Sequence, residues 1–177
     1  MVDYAIQTDP KIGFLLKAIK DLGCDLPDDF IACKPCDGMT IESSGGFSYA
    51  KEAHAAAGKP QVVMCQDKLL NQRMCTQTIN HELIHAFDQC RAKADWSNCL
   101  HHACTEIRAS NMSGECSFRD EFNRSNFGLA AQQQACVKRR AALSLQGNSA
   151  CAEKAAEYVE AAFEACYRDT APYDRNP

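Results

Sequence analysis

The stretch "TINHELIHAFDQCR", Thr78–Arg91, places two histidines four residues apart and a glutamate directly after the first of them. Around the histidines, apolar residues recur with the period of a helix: Ile79, Leu83, Phe87 and Cys90. His81, His85 and Asp88 fall on a different face from this stripe. The pattern predicts an amphipathic helix over 76–93 from which both histidines project together.

The spacing of His81 and His85 is that of two metal ligands on one helix. Residues i and i+4 lie one turn apart on the same side of a helix, so two imidazoles can offer nitrogens to one ion, for which zinc fits best. Glu82 follows the first histidine, where its carboxylate can act as a base without binding the ion itself. The pattern predicts a catalytic site with one Zn²⁺ per chain, in which Glu82 is the catalytic residue.

A catalytic zinc site needs a third protein ligand and an open fourth position. The extended metzincin motif would need Gly at 88 and His at 91, and the chain has Asp88 and Arg91 there, so that subclass is excluded. We expect the third ligand to be Glu106. It lies in the middle of a helix predicted over 98–111, and small residues follow it that would let two helices pack closely: Ala109 and Ser110.

Four other side chains are candidates for supporting roles or are competing ligands: Asp88, His101, His102 and Arg108. Asp88, one turn after His85, either orients a ligand histidine or is an exposed helix acid. His102 shares the face of Glu106, whereas His101 is rotated away from it. One of the two histidines could stabilise an oxyanion, and a structural role is the alternative for both. Arg108 either supports the site or is a buried ion-pair partner.

Composition limits the classes of function. A net charge of −4 and a pI near 5.7 give no general attraction to phosphate backbones, so no nucleic-acid partner is expected. No run of apolar residues is long enough to span a bilayer, and the first residues have no signal-peptide character, so any membrane contact is expected to be peripheral. The twelve cysteines indicate disulfides and an oxidising compartment. Thiolate zinc is the weaker alternative, because Cys33 and Cys36 form the only close CxxC pair.

We predict one metallopeptidase domain over 1–177, of the α+β class and mostly helical, with a small zincin-like sheet and disulfide cross-links. Its segments are an N-terminal helix in 1–23, a turn-rich segment with short strands in 24–66, active-site helices in 68–111 and a C-terminal helical hairpin in 129–168. "QVVMC", at 61–65, is the strongest strand candidate and is expected to be the sheet edge that binds substrate. His54 is expected to be a surface histidine.

Several further segments carry a family resemblance: "HELIHAFDQCRAK", "HHACTEIRASNMSGECS", "QQACVKRRAALSL", "CKPCDG" and "SGGFSY". With them, the chain resembles the mitochondrial ATP-synthase-assembly metalloproteases from about Leu22 to Pro177. The resemblance implies zinc binding by His81 and His85 and catalysis by Glu82. The family pattern has one histidine, at the place of His101, and an apolar residue where this chain has His102.

The resemblance also implies a location and partners. The family acts on the intermembrane-space side of the mitochondrial inner membrane, as peripheral proteins with oxidised cysteines. One such protease removes the leader of ATP synthase subunit 6 and assists its assembly, so the expected partners are that precursor and assembly factors. The alternative is a disulfide-rich assembly chaperone whose peptidase activity is dispensable or lost.

Overall fold

The computed structural model describes residues 1–37, 43–49, 59–123 and 132–177. The chain divides into two compact units, Met1–Ala92 and Lys93–Pro177. His54 and parts of the predicted turn-rich segment lie outside the described residues. The single metallopeptidase domain, with the segment boundaries expected above, stays a prediction.

The first unit begins with two helices, α1 (Val2–Thr8) and α2 (Pro10–Asp21). Asp9 caps α2, since its carboxylate accepts the N–H of Lys11 at 2.8 Å, and Pro10 suits the first helical position, where no N–H is needed. The apolar stripe of α2 is buried at Ile12, Leu15 and Ile19. Leu22 lies past the helix end and is exposed.

Three short strands form a mixed sheet: β1 (Ile31–Lys34), β2 (Gly45–Ser48) and β3 (Gln61–Cys65). The strand order is β1-β3-β2, with β3 parallel to β1 and antiparallel to β2. The strand predicted for "QVVMC" is confirmed, but its assignment to a free edge is wrong. Both sides of β3 are already paired, so its backbone cannot accept a substrate strand. The edges of the described sheet are β1 and β2.

Helix α3 (Gln72–Ala92) is the long helix of the first unit and carries the histidine motif. The Asn71 side chain accepts the N–H of Met74 at 2.9 Å, which satisfies one of the amides left unpaired at a helix start. Ile79, Leu83 and Phe87 are buried, as the apolar period predicts. α3 packs against α1, α2, β2 and β3, so its direction is set by helices and by the sheet.

The second unit is helical, with α4 (Cys99–Met112), α5 (Phe118–Asn123), α6 (Gln132–Gln146) and α7 (Ala155–Arg168). A 3₁₀ turn, Ala152–Lys154, precedes α7. α4 packs against both α6 and α7 around a buried core that includes Ile107, Leu145 and Phe163. α6 and α7 lie within the segment 129–168, for which a C-terminal helical hairpin is predicted, and α5 precedes that segment.

Five disulfides cross-link the chain. In the first unit they are Cys24–Cys90 and Cys36–Cys65, and in the second unit Cys99–Cys151, Cys104–Cys166 and Cys116–Cys136. Cys33 and Cys75 stay as thiols. The prediction that most cysteines are paired is confirmed, and so is the mostly helical α+β class with a small sheet. Within the described ranges, none of the helices combines the length and apolar character that crossing a membrane requires.

Candidate metal centre

The two motif histidines lie one turn apart on α3. Their ring centroids are 4.8 Å apart and the rings meet edge to face. His81 is half-buried, whereas His85 is only 5% exposed. Because α3 is capped at Asn71 and buries its apolar stripe, the helical backbone holds both imidazoles on one side. This pair can present two nitrogens to one ion.

Two carboxylates of α3 are buried close to the histidines in sequence. Glu82 is 7% exposed and Asp88 is 2% exposed. Asp88 Oδ1 lies 3.2 Å from Arg91 Nη2 in an i,i+3 ion pair. The alternative that Asp88 is an exposed helix acid is therefore wrong. Burial of a carboxylate requires hydrogen-bond or charge partners, and Arg91 is one partner of Asp88.

On α4, Glu106 is 6% exposed and lies next to His102. The His102 Nε2 atom is 3.4 Å from Glu106 Oε1, as the i,i+4 spacing predicts. His101 points elsewhere: it is exposed, and its Nδ1 accepts the N–H of Asp95 at 3.4 Å. Both histidines lie in the first turn of α4, which Asn98 caps. Of the two, only His102 has a described contact with Glu106.

Arg108, two residues after Glu106, is fully buried at 1% exposure. Its Nη1 lies 2.7 Å from Asp169 Oδ1, and its guanidinium also donates to the carbonyl oxygens of Asp169 and Ala171. Of the two roles left open by the sequence, the ion pair is the one seen. Arg108 fastens the chain after α7 to α4.

Two neighbours of His102 could not be found by sequence reasoning. Asn148 Nδ2 is 3.1 Å from His102 Nδ1, and the Trp96 ring meets the His102 ring edge to face at a centroid distance of 5.3 Å. Asn148 is not among the candidate residues that the sequence indicates. Its sequence separation of 46 from His102 offers no periodic signal that would link the two residues.

The donor types fit zinc. Imidazole nitrogen and carboxylate oxygen are both ordinary zinc ligands, and three such ligands leave a position for water or substrate. His81, His85 and Glu106 each offer one such atom, and Glu82 adds a buried carboxylate one residue after His81. A set of this kind suits metal-assisted hydrolysis.

Comparison with known proteins gives a family. The model of the Peptidase M76 family matches residues 1–174. The "Mitochondrial inner membrane protease ATP23 homolog" of Danio rerio is 42% identical over 180 residues, covering 100% of this chain and 66% of that protein. The protein of the same name from Homo sapiens is 40% identical over 175 residues, covering 97% of this chain and 67% of that protein.

A fungal relative extends the comparison. "Mitochondrial inner membrane protease atp23" of Schizosaccharomyces pombe is 40% identical over 169 residues, covering 94% of this chain and 85% of that protein. The chain spans about two thirds of the length of the two vertebrate relatives. No solved structure matches the chain. Because the family model covers residues 1–174 and these relatives align with nearly all of the sequence, the chain belongs to the Peptidase M76 family.

Proposed function

We propose that this protein is a zinc-dependent endopeptidase in which His81, His85 and Glu106 bind one Zn²⁺ and Glu82 is the catalytic residue. The observation that carries the proposal is the histidine pair on α3, one turn apart, with a buried glutamate between its members. Membership of a peptidase family supports the same reaction class. When bound, the ion would supply Lewis-acid chemistry, which polarises a peptide carbonyl and makes water more acidic.

The chain's own residues supply the rest of the chemistry. His81 and His85 bind through unprotonated ring nitrogens, and Glu106 binds as a carboxylate, which adds negative charge to the site. A Glu82 carboxylate oxygen takes the proton of the attacking water and passes it to the nitrogen of the departing amine, so the proton is conserved over the cycle. General acid–base catalysis of this kind is worth roughly 10²–10⁴-fold in rate.

The names of the relatives support a proposal for the location of this protein. Several of them are named as mitochondrial inner membrane proteases. We propose that this protein acts on the intermembrane-space side of that membrane, bound peripherally. Its substrate would be the precursor of ATP synthase subunit 6, whose leader it would remove and whose assembly it would assist together with assembly factors. The five disulfides suit an oxidising compartment.

Metal content and cleavage, measured together, test the ligand set. Glu106→Ala is expected to lower both zinc per chain and precursor cleavage, because a site with two protein ligands binds zinc weakly. Glu157→Ala is the matched control, since Glu157 is an exposed glutamate of α7. Full zinc content in Glu106→Ala, with loss in Asp88→Ala, His101→Ala or His102→Ala instead, would identify a different third ligand.

A further inference from the structure

His102 is held by a polar contact at each ring nitrogen. Its Nε2 lies 3.4 Å from Glu106 Oε1, and its Nδ1 lies 3.1 Å from Asn148 Nδ2. The Trp96 ring meets the imidazole edge to face. A neutral imidazole has one N–H donor and one acceptor nitrogen, so the partner at one nitrogen decides what the other can do.

The backbone fixes which end of the Asn148 amide faces His102. Asn148 Oδ1 accepts the N–H of Ala150 at 3.1 Å, and Nδ2 lies 3.3 Å from the carbonyl oxygen of Trp96. A carbonyl oxygen can only accept and a backbone amide can only donate, so the opposite amide orientation would break both contacts. The NH₂ group therefore points at Trp96 and at His102 Nδ1. Its second proton is donated to the ring nitrogen.

The turn that carries Asn148 is itself constrained. Cys151 N donates to the Asn148 carbonyl oxygen at 2.9 Å. The Cys99–Cys151 disulfide ties the end of this turn to the first residue of α4, three residues before His102. The Asn148 amide that donates to His102 Nδ1 therefore lies in a turn held by a disulfide, and it is in place before any ligand binds.

We propose that Asn148 fixes His102 in the tautomer protonated at Nε2. The Nε2–H group of His102 then donates a hydrogen bond to Glu106 Oε1, which orients this carboxylate as a metal ligand. Both are positioning residues, and the role rests on the proposed function, in which Glu106 binds zinc. Hydrogen bonds to a ligating carboxylate set its orientation and its affinity for the ion.

The tautomer can be measured without zinc. Nitrogen-15 NMR of the metal-free protein, labelled at histidine, separates protonated from unprotonated ring nitrogens, and the difference from the His102→Phe spectrum assigns the His102 signals. We expect Nε2 to carry the proton in the wild type. Asn148→Asp replaces the donor by an acceptor and should move the proton to Nδ1. Ser149→Ala, at the exposed next position of the turn, should leave the wild-type pattern.

Zinc affinity, measured by competition with a chelator, tests the consequence. Loss of an outer hydrogen-bond partner typically weakens metal binding by about 10–100-fold. Asn148→Asp and His102→Phe should fall in this range, and Ser149→Ala should match the wild type. A wild-type His102 protonated at Nδ1 would overturn the proposal even if a variant fails to fold. Unchanged affinity in a folded Asn148→Asp protein would overturn it as well.

The same zinc measurements distinguish a failure of the proposed ligand set from a failure of the positioning role alone. If the wild type binds no zinc, or if Glu106→Ala binds zinc as tightly as the wild type does, the proposed ligand set fails and the positioning role fails with it. If zinc binding depends on Glu106 but not on Asn148 or His102, the ligand set stands and only the positioning role is overturned.

Discussion

At the scale of single residues, the buried guanidinium of Arg108 in the second unit contacts one carboxylate and two carbonyl oxygens. Arg108 is 1% exposed and is paired with the Asp169 carboxylate, while two carbonyl oxygens accept from its Nη1 and Nη2 groups. A buried guanidinium loses its water, so its stability depends on these partners. The same contacts hold the chain after α7 against α4, the helix that carries Glu106.

Removing the Asp169 charge should therefore destabilise the protein. For Asp169→Asn we expect a loss of roughly 2–3 kcal/mol, because the Arg108 guanidinium stays buried, whereas the Asp169 side chain is 37% exposed and the carbonyl acceptors remain. Chemical denaturation under non-reducing conditions measures it. Glu160→Gln is the control, since it removes one partner of the exposed Lys138–Glu160 pair and should cost at most about 1 kcal/mol. Equal losses in the two variants would contradict this account of Arg108.

At the scale of elements, β2 lies so close to α3 that it has no room for a side chain at one position. A Cβ atom added to Gly45 would lie 2.7 Å from Thr78 Cγ2 and 3.0 Å from the carbonyl oxygen of Val63. The hydroxyl of Ser44, the residue before β2, lies 2.8 Å from the Thr78 hydroxyl of α3. The sheet therefore supports the N-terminal half of α3, which leads directly into the histidine motif.

Gly45→Ala tests this packing. Threonine is branched at Cβ and cannot easily turn away, so overpacking should cost about 1–3 kcal/mol. The neighbouring Gly46 has open space around its added Cβ, and Gly46→Ala should change the stability by no more than about 0.5 kcal/mol. Thermal unfolding of the two variants gives the comparison. If Gly45→Ala is as stable as Gly46→Ala, the close approach of β2 and α3 is not real.

Periodicity predicted the elements better than it predicted their pairing. α3 and α4 begin and end within a few residues of the predicted bounds, because long amphipathic patterns and the Asn98 cap are local signals. The N-terminal helix predicted in 1–23 is divided into α1 and α2, and α5 was missed, because helices of 7 and 6 residues are too short to show a period. The β-branched run at 61–65 correctly indicated a buried strand, but burial does not reveal whether one or both sides are paired.

In the candidate site, too, local features could be predicted from the sequence and tertiary contacts could not. The spacing of His81, Glu82 and His85 and the i,i+4 relation of His102 to Glu106 are local, and both were readable from the sequence. The Asn148 contact to His102 depends on the tertiary structure, so it was not. Arg108 remained ambiguous for the same reason, since its partner lies 61 residues away along the chain.

At the scale of the whole molecule, disulfides stabilise each unit from within. The twelve cysteines and their even number indicated cross-links, but the number of possible pairings left the connectivity open. The structure pairs ten of them in five bonds, which leaves the Cys33 and Cys75 thiols. The CxxC pair is not a disulfide, because Cys36 is bonded to Cys65.

The two thiols should react differently. Cys33 is exposed, whereas burial raises the pKa of the Cys75 thiol above its ordinary value and so disfavours the reactive thiolate. A thiol reagent should modify Cys33 in the native protein and reach Cys75 only after denaturation without reductant. Cys33→Ser is the control and should remove the fast reaction alone. Eight or more reactive thiols in the denatured chain would rule out the disulfide framework.

We propose that Glu82 performs the proton transfers of a zinc endopeptidase. The most direct test measures cleavage of the ATP synthase subunit 6 precursor by the wild type and by Glu82→Gln, with zinc per chain determined in the same samples. We predict equal zinc content and cleavage reduced by roughly 10²-fold or more in Glu82→Gln. Equal cleavage by the two proteins would contradict the claim. So would binding of the precursor without cleavage by either zinc-loaded protein, a result that favours an assembly chaperone.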